Sequence, residues 1–263
     1  MKKEIIIRSI LQPIWKAWYE YVSNKDGDGE IKFLNYGFHS PHDLTLLPED
    51  EKERYPLQLY HHIISTIDVK DKHLLEVGCG RGGGASYIAR YFKPRSMKAI
   101  DISYKAIEFC KSNHSAQNLE FSQGDALRLP FLENVFDSVI NVESSHCYPN
   151  LAAFLSEVYK VLKPGGYFLY TDFRSQKNLV SVEENIKKSK FKVMAIHNIT
   201  ENVAQALKID NDRRVQLIKR LVPRIIHKPV CAFAGTNGSV TYKSFESGWN
   251  TYYFYVLKKE STH

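Results

Sequence analysis

The sequence has no pairing pattern among its cysteines. Cys79, Cys110, Cys147 and Cys231 are scattered through 263 residues, and no two of them form a CxxC pair. This spacing argues against a disulfide framework and against a zinc site. Unpaired cysteines are typical of a reducing compartment, which predicts a cytoplasmic protein that binds no metal.

Long apolar runs are missing as well. No segment is long and apolar enough to span a bilayer. Glu4, Arg8 and Lys16 interrupt the apolar start of the chain, and no small-residue cleavage site follows, so a signal peptide is not predicted. The net charge of +7 permits contact with nucleic acid or with an anionic membrane but requires neither.

Apolar residues are nevertheless abundant and periodic. With 43% hydrophobic residues the chain can bury a full core, which argues against disorder. From residue 72, apolar runs of strand length alternate with helical stretches at 84–93, 103–114 and 150–162. This alternation predicts a doubly wound α/β fold with a mostly parallel, seven-stranded sheet whose last strand is antiparallel. The predicted strands are HLLEV (73–77), MKAID (97–101), NLEFSQ (118–123), FDSVINV (136–142), GGYFLYTD (165–172), FKVMAIHNI (191–199) and WNTYYFYVL (249–257).

The sheet is expected to lie within a single domain of three parts. Residues 1–70 are predicted to form a helical cap, 71–175 the ligand-binding core, and 176–263 the late strands with a helical lid. A helix is expected near 181–189. The helical material around 200–247, with a basic helix from about 201 to 221, is expected to form the lid over the carboxyl edge of the sheet, where open α/β sheets bind ligands. The cap is expected to hold a second helix from about 51 to 67 and a first helix with Ile10, Ile14, Trp15, Trp18 and Val22 on one face.

The stretch EVGCGRGGGA, at 76–85, is a glycine-rich strand-to-helix turn. No Lys-Ser or Lys-Thr follows the glycines, so a P-loop is excluded. A dinucleotide fingerprint fits Gly78, Gly80 and Gly83, but the carboxylate of Glu76 would repel a pyrophosphate and attract a cationic amine. S-adenosylmethionine carries an amine and a sulfonium but no phosphate, so the turn favours it over NAD. Cys79 would contribute mainly its backbone.

Polar residues end the next strands in the same way. Asp101, which precedes Ile102, follows Gly78 by 23 residues and can accept hydrogen bonds from both ribose hydroxyls. Asp125, in the motif Gly124-Asp125-Ala126, can accept the adenine amino group. Asn141, at the end of the fourth strand, can bond the methionine portion.

With these motifs in order, residues 72–172 resemble the class I S-adenosylmethionine-dependent methyltransferases. LLEVGCGRGGGASYIAR, NVESSHCYP and EVYKVLKPGGYF are similar to the phthiotriol/phenolphthiotriol dimycocerosate methyltransferase family, whose members O-methylate a hydroxyl of a long-chain lipid. The resemblance continues into IKFLNYGF and HKPVCAFAG. It implies S-adenosylmethionine as cofactor and a hydrophobic or lipid acceptor. Related sequences methylate sugars and antibiotics, so C- or N-acceptors and a fatty-acid carboxyl remain alternatives.

The resemblance also implies that the segment around Tyr36 and Phe38 folds over the cofactor, although an ordinary aromatic core contact is the alternative. The predicted cofactor-binding residues are Tyr36, Phe38, Glu76, Gly78, Cys79, Gly80, Asp101, Ile102, Gly124, Asp125, Ala126 and Asn141.

His146 and Asp172 are the predicted catalytic pair. They lie after the fourth strand and at the end of the fifth, and similar sugar O-methyltransferases have a His and an Asp at these places. A histidine oriented by a carboxylate is a sound general base, although His146 could instead hold its loop in place. No acid or histidine cluster with metal-ligand spacing is present.

Three other functions would require different sequence patterns. The acidic strand ends argue against an NAD-dependent oxidoreductase. The Asn/Asp-Pro-Pro-aromatic signature of base aminomethylases is missing and no RNA-binding module is recognisable, so nucleic acid is not the predicted partner. A catalytically silent S-adenosylmethionine-binding protein remains an alternative. The basic residues between 213 and 228 form either a solvated face or a contact for anionic lipid, and the oligomeric state is not predicted.

Overall fold

The computed structural model describes residues 29–261, so the predicted helix around Trp15 and Trp18 lies outside the described residues. A 3-10 turn at Pro48–Glu53 leads into the first described α-helix. The helices are α1 (Arg54–Ile64), α2 (Gly83–Tyr91), α3 (Tyr104–Asn113), α4 (Leu151–Val161), α5 (Gln176–Lys188), α6 (Thr200–Ile209), α7 (Asn211–Leu221), α8 (His227–Phe233) and α9 (Val240–Glu246). The strands are β1 (His73–Val77), β2 (Ser96–Asp101), β3 (Leu119–Gln123), β4 (Phe136–Val142), β5 (Leu162–Ser175), β6 (Lys192–Asn198) and β7 (Asn250–Lys258).

The seven strands form one sheet in the order β3-β2-β1-β4-β5-β7-β6. Strands β1 to β5 are mutually parallel, whereas β7 is antiparallel to both β5 and β6. The predicted fold class, including the antiparallel last strand, is confirmed. In this arrangement the carboxyl ends of β1, β2, β4 and β5 lie side by side at one edge of the sheet.

Both faces of the sheet are buried at its central parallel strands β1 and β4, whereas the edge strand β6 is largely exposed. Successive residues of one strand belong to different apolar clusters: Leu74 packs on one side and Leu75 on the other. The same alternation holds for Val139 and Ile140 in β4. The near-continuous apolar runs of the sequence therefore reflect helices that cover the sheet on two sides.

Local chemistry fixes several element ends. The side chains of Ser103 and Asn150 accept hydrogen bonds from the first turns of α3 and α4, which begin at the following residue. Strand β5 begins at Leu162, earlier than predicted, because Leu162 pairs with Phe136 before the register shifts at the Pro-Gly-Gly bulge. The predicted stop of the preceding helix near residue 162 is correct.

The lid differs from the sequence expectation in one respect. The single helix predicted at 201–221 is two helices, α6 and α7, that meet at Asp210. The buried Asp210 carboxylate accepts hydrogen bonds from Arg213 and Arg214 of α7, which fixes the angle between the two helices. The apolar residues of α6 and α7 follow the same helical period, so the sequence pattern did not indicate the break.

The lid leaves and re-enters the sheet at the carboxyl edge. Strand β6 ends at Asn198, which pairs with Tyr253 near the start of β7. Everything from α6 to α9 is therefore inserted between two directly paired strands. The lid contacts the N-terminal segment through bonds from Arg214 to the carbonyls of Asn35 and Tyr36. This segment, residues 30–38, and the lid thus meet above the same edge.

Candidate active site

The glycine turn follows β1 and brings bare backbone into the cleft. Gly78 and Gly80 have φ angles of 75° and 53°, which favour glycine. A Cβ on Gly78 would stand 2.4 Å from Oγ of Ser144, whereas one on Gly80 would meet only Leu34 Cδ1, at 3.7 Å. Gly78 is therefore needed for close packing, and Gly80 leaves space beside its backbone.

Glu76 is completely buried at the end of β1. The Tyr60 hydroxyl donates a hydrogen bond of 2.6 Å to Oε1 of Glu76, while Oε2 has no hydrogen-bond partner among the described residues. Burial raises the pKa of Glu76 to about 7, although the hydrogen bond from the Tyr60 hydroxyl acts to lower it. A buried carboxyl oxygen without a hydrogen-bond partner can accept a hydrogen bond from a ligand.

Asn141 lies on β4, one residue beyond the partner of Glu76. Its amide nitrogen donates to the carbonyl of Val77 at 2.8 Å and to Oγ of Ser144 at 2.6 Å, whereas its Oδ1 has no partner in the described part of the chain. Two buried, unpaired oxygens, Glu76 Oε2 and Asn141 Oδ1, thus lie at the ends of neighbouring strands. Both are suited to a ligand that carries N–H groups.

Asp101 holds the glycine turn in place. Its Oδ2 accepts from the Gly80 N–H at 2.9 Å, and its Oδ1 accepts from the Ser103 N–H at 2.9 Å. Burial raises the pKa of Asp101, although these backbone bonds partly offset the effect. Ile102, which follows, is 69% exposed and offers an apolar face beside the carboxylate. Binding of ribose hydroxyls at Asp101 stays a prediction, for which the carboxylate retains free lone pairs.

The third acidic motif is more open. The Gly124 N–H donates to the carbonyl of Asp101, so the two strand ends are joined. The Asp125 side chain is exposed, and its Oδ1 accepts from the Leu127 N–H at 2.8 Å, while Ala126 is buried. Cys79 is also buried; the neighbouring Cys110 thiol and burial hold the pKa of Cys79 well above its usual range. Cys79 is therefore a neutral thiol and supplies its backbone to the turn.

Tyr36 and Phe38 lie in different surroundings. The Tyr36 N–H donates to Oε1 of Glu143 at 2.8 Å, and its ring packs against Phe173 on the active-site edge. Phe38 instead stacks on His62, with ring centroids 4.2 Å apart in the core. The structure brings Tyr36 to the cleft and places Phe38 behind it, and cofactor contact by either residue stays a prediction.

His146 and Asp172 meet as the sequence predicts. His146 lies in the 3-10 turn after β4, and its Nδ1 is 2.9 Å from Oδ1 of Asp172. Asp172 also accepts from the Ser145 hydroxyl at 2.7 Å and pairs with the guanidinium of Arg174 at 2.9 Å. With Nδ1 on the carboxylate, Nε2 is the ring nitrogen that is not bonded to Asp172, and the His146 side chain is 30% exposed. A hydrogen bond with the Cys147 side chain also favours the charged ring.

The charges of this pair support one another. Burial opposes a charge on His146, but the Asp172 carboxylate outweighs this and raises the pKa of His146 to about 10. Burial also opposes a charge on Asp172, yet Arg174 and His146 hold the pKa of that carboxyl well below its usual range. In the free protein at neutral pH the ring is therefore an imidazolium paired with a carboxylate.

Sequence reasoning missed Glu143 at the end of β4. Glu143 has a φ angle of 46°, which is rare for a residue other than glycine. Its Oε1 accepts both the Tyr36 N–H and the Tyr252 hydroxyl, at 2.8 and 2.7 Å. Burial raises the pKa of Glu143 to about 7. Backbone strain of this kind is common at functional sites, so Glu143, which lies near His146, is a further candidate site residue.

The comparisons with known proteins agree with this geometry. The family model described as "Methyltransferase domain" matches residues 75–170. The chain is 40% identical over 219 residues to a fatty-acid O-methyltransferase of Mycolicibacterium smegmatis. The aligned region is 82% of this chain and 80% of that protein. It is 34% identical over 254 residues to a phthiotriol/phenolphthiotriol dimycocerosates methyltransferase of Mycobacterium tuberculosis, with 96% and 94% covered. The chain belongs to the S-adenosylmethionine-dependent methyltransferases.

Solved structures show the same fold in this class. A geranyl diphosphate C-methyltransferase of Streptomyces coelicolor, solved with Mg²⁺, geranyl diphosphate and S-adenosyl-L-homocysteine, superposes with a TM-score of 0.65 at 17% identity. The superposed region is 91% of this chain and 95% of the Streptomyces coelicolor chain. The predicted family, enzyme class and cofactor are thus confirmed.

The residues of this methyltransferase fit the cofactor. The unpaired oxygens of Glu76 and Asn141 suit an α-amino group, and the open side of Gly80 leaves room for a ligand beside the turn. Asp101 lies one strand away, where β2 ends. Residues 29–261 contain no group of three His, Cys, Asp or Glu side chains suited to a metal ion. No helix of the described range has the length and apolar character needed to cross a membrane.

An apolar pocket of the methyltransferase lies between the N-terminal segment and the lid. Leu34 lines this pocket and also faces Gly80, so the Leu34 side chain lies between the pocket and the glycine turn. Asn35, also in its wall, precedes Tyr36, which bonds Glu143. The apolar side chains that line it are Ile31, Phe33, Leu34, Pro56, Leu217, Ile218, Leu221, Val222, Val230, Phe233 and Ala234. The charged residues Glu53, Arg213 and Arg214 complete its wall.

Proposed function

We propose that this methyltransferase transfers a methyl group to an oxygen atom of a lipid-like acceptor, with a hydroxyl as the preferred oxygen. The observation that carries the proposal is the bond between His146 Nδ1 and Asp172, which leaves Nε2 for the acceptor. Two relatives support the lipid-like class by their names, a fatty-acid O-methyltransferase and a phthiotriol/phenolphthiotriol dimycocerosates methyltransferase.

The chain's own residues position the acceptor and move its proton. The apolar pocket holds the hydrocarbon part and excludes water, while Phe173, whose ring lies 4.8 Å from that of His146, covers the imidazole. Nε2 of neutral His146 accepts the hydroxyl proton as the oxygen–methyl bond forms and the methyl–sulfur bond breaks, and Asp172 stabilises the imidazolium. Bound S-adenosylmethionine supplies an activated methyl on a sulfonium, whose positive charge lowers the pKa of a neighbouring imidazolium.

A fatty-acid carboxylate is the second candidate acceptor. The raised pKa of His146 favours it, because an imidazolium donates a hydrogen bond to a carboxylate that needs no deprotonation. The relative that is 40% identical bears the corresponding name. In this case His146 would hold and orient the acceptor rather than take its proton.

The test uses S-adenosylmethionine with a labelled methyl group. The enzyme is incubated with long-chain alcohols, fatty acids and long-chain amines, and with a lipid extract of the source cells. Mass spectrometry then identifies the labelled product. A methyl ether supports the hydroxyl acceptor and a methyl ester the carboxylate. Label found on carbon or nitrogen, or no turnover with any acceptor, would contradict the proposal.

A further inference from the structure

The lid carries an unusual charge distribution. Between Asp212 and Glu246 the chain contains seven Lys and Arg residues and no acidic residue. Helix α7 after Asp212, helix α8 and the 3-10 turn Arg224–Ile226 between them fall within this span. A span of this length with one sign of charge produces a positive potential over the lid.

Some of these cations have internal partners. Arg213 and Arg214 are bonded to the Asp210 carboxylate, and Arg220 pairs with Glu30 of the N-terminal segment. These three residues connect the lid to the rest of the enzyme. Arg213 also pairs with Glu53, so three carboxylates balance the three arginines, which add little to the external potential.

The remaining cations near the turn face solvent. Lys219, Arg224 and Lys228 are exposed, and none of them has an ion-pair partner within residues 29–261. Ile225 lies between two of them in sequence, and 91% of its surface is exposed. These four residues form what we call the lid patch: Lys219, Arg224, Ile225 and Lys228.

The lid patch is built on the same elements as the apolar pocket. Leu217 and Leu221 of α7 and Val230 of α8 line the pocket, while Lys219 and Lys228 of the same helices face outward. Both helices belong to the insertion at the carboxyl edge of the sheet. An apolar molecule that leaves a surface in contact with the lid patch would therefore reach the pocket without crossing the core.

We propose that the lid patch docks the enzyme on an anionic membrane surface. Basic residues attract anionic headgroups, and an exposed isoleucine among them inserts into the boundary between headgroups and acyl chains. A soluble acidic partner would match the cations but would leave Ile225 in water. The combination of cations with a protruding apolar side chain fits a lipid surface better.

The experiment measures sedimentation of the full chain with vesicles. Wild type should bind vesicles of phosphatidylcholine with phosphatidylglycerol, bind phosphatidylcholine alone weakly, and lose binding as salt is raised. Each basic residue near an anionic surface contributes about five-fold in partitioning. The double variant Arg224→Glu, Lys228→Glu should therefore partition at least about 25-fold more weakly, and Ile225→Ser about ten-fold more weakly.

Matched controls lie at the opposite edge of the sheet. Lys187→Glu with Lys188→Glu, in the last turn of α5, gives the same net charge as the lid double variant. Leu132→Ser removes a side chain that is 81% exposed, near the start of β4. Both controls should bind as wild type does, and thermal unfolding should show that all variants are folded at the temperature of the binding measurement.

Three results would overturn the proposal. The first is equal binding of wild type to neutral and anionic vesicles. The second is an equal loss in the Lys187 and Lys188 control, which would place the contact elsewhere. The third is full competition by soluble glycerol phosphate at the same phosphate concentration, which would indicate a single-anion site instead of a surface.

Discussion

Asp172 bonds both the ring and the backbone of His146. Its Oδ1 lies 2.9 Å from Nδ1, and its Oδ2 accepts the His146 N–H at 2.9 Å. Arg174 and Ser145 bond the same carboxylate, so it cannot rotate without losing several charge-assisted bonds. The direction of the imidazole ring is therefore set before any ligand arrives.

The first prediction concerns His146. If Nε2 takes the acceptor proton, His146→Ala should slow methyl transfer to an aliphatic alcohol by about 10²–10⁴-fold. Affinity for S-adenosylhomocysteine, measured by calorimetry, should stay close to wild type, because the glycine turn is untouched. Single-turnover rates provide the comparison, with the exposed His42→Ala as the control. Near-normal turnover of His146→Ala would assign the histidine to holding its loop.

The second prediction separates the two acceptors by the sign of a pH profile. The kcat/KM value reports ionisations of the free enzyme, in which the pKa of His146 is about 10. With an alcohol, kcat/KM should rise with pH up to this pKa, because only the neutral ring accepts a proton. With a fatty acid it should fall as pH passes the same value, because the imidazolium is lost. His146→Gln should flatten either profile; an unchanged profile would exclude His146 from the step.

The third prediction links Glu76 to stability. Because the pKa of Glu76 is about 7 in the fold and 4.5 in its ordinary state, the native form retains a proton that the unfolded form releases. Its contribution is present below pH 4.5 and is lost as pH rises through 7. Between about pH 4 and about pH 8, Glu76→Gln should therefore gain roughly 3 kcal/mol relative to wild type.

Denaturant titrations at the two pH values test this gain. The exposed Glu120→Gln is the control and should change the free energy of unfolding little at either pH. Glu76→Gln should at the same time bind S-adenosylmethionine more weakly, because it loses the charge facing the α-amino group. Equal stability effects at both pH values would show that Glu76 is not protonated in the fold.

The fourth prediction concerns Arg174. Asp172→Asn preserves shape but leaves the buried guanidinium without a carboxylate, which should cost about 3–5 kcal/mol of unfolding free energy. The control is Asp137→Asn, which breaks the more exposed pair with Lys163 and should cost no more than about 1 kcal/mol. Thermal and denaturant unfolding provide the values. Similar losses in the two variants would show that Arg174 is solvated well enough to do without Asp172.

The sequence predicted those site residues whose positions follow from the sheet alone. Glu76 and Asp101 stand at or next to the last residue of a parallel strand, and Asp172 directly follows the last residue of β5 that pairs with β4. Parallel register brings these positions to one edge. The meeting of His146 with Asp172 follows from the same rule, because β4 and β5 are neighbours. No knowledge of side-chain conformation was needed for these predictions.

Other features depend on contacts that no local pattern encodes. Glu143 adopts a positive φ and bonds Tyr36 and Tyr252, which lie 107 and 109 residues away in the chain. The break between α6 and α7 depends on the burial of Asp210, since the helical period is the same on both sides. Phe38 packs on His62 in the core, whereas Tyr36 reaches the cleft. The sequence could not distinguish the two, because both are aromatic and they lie two residues apart.

The insertion of the lid between β6 and β7 has a consequence for how the enzyme can diversify. Because those strands pair directly, residues 199–249 are topologically the loop of a hairpin. The entropy of closing such a loop grows only with the logarithm of its length. A replacement segment of different size would leave the strand register, and with it the edge that carries the candidate site, intact. Under the proposed function, new acceptor specificities can therefore arise by exchange of one contiguous segment of the chain.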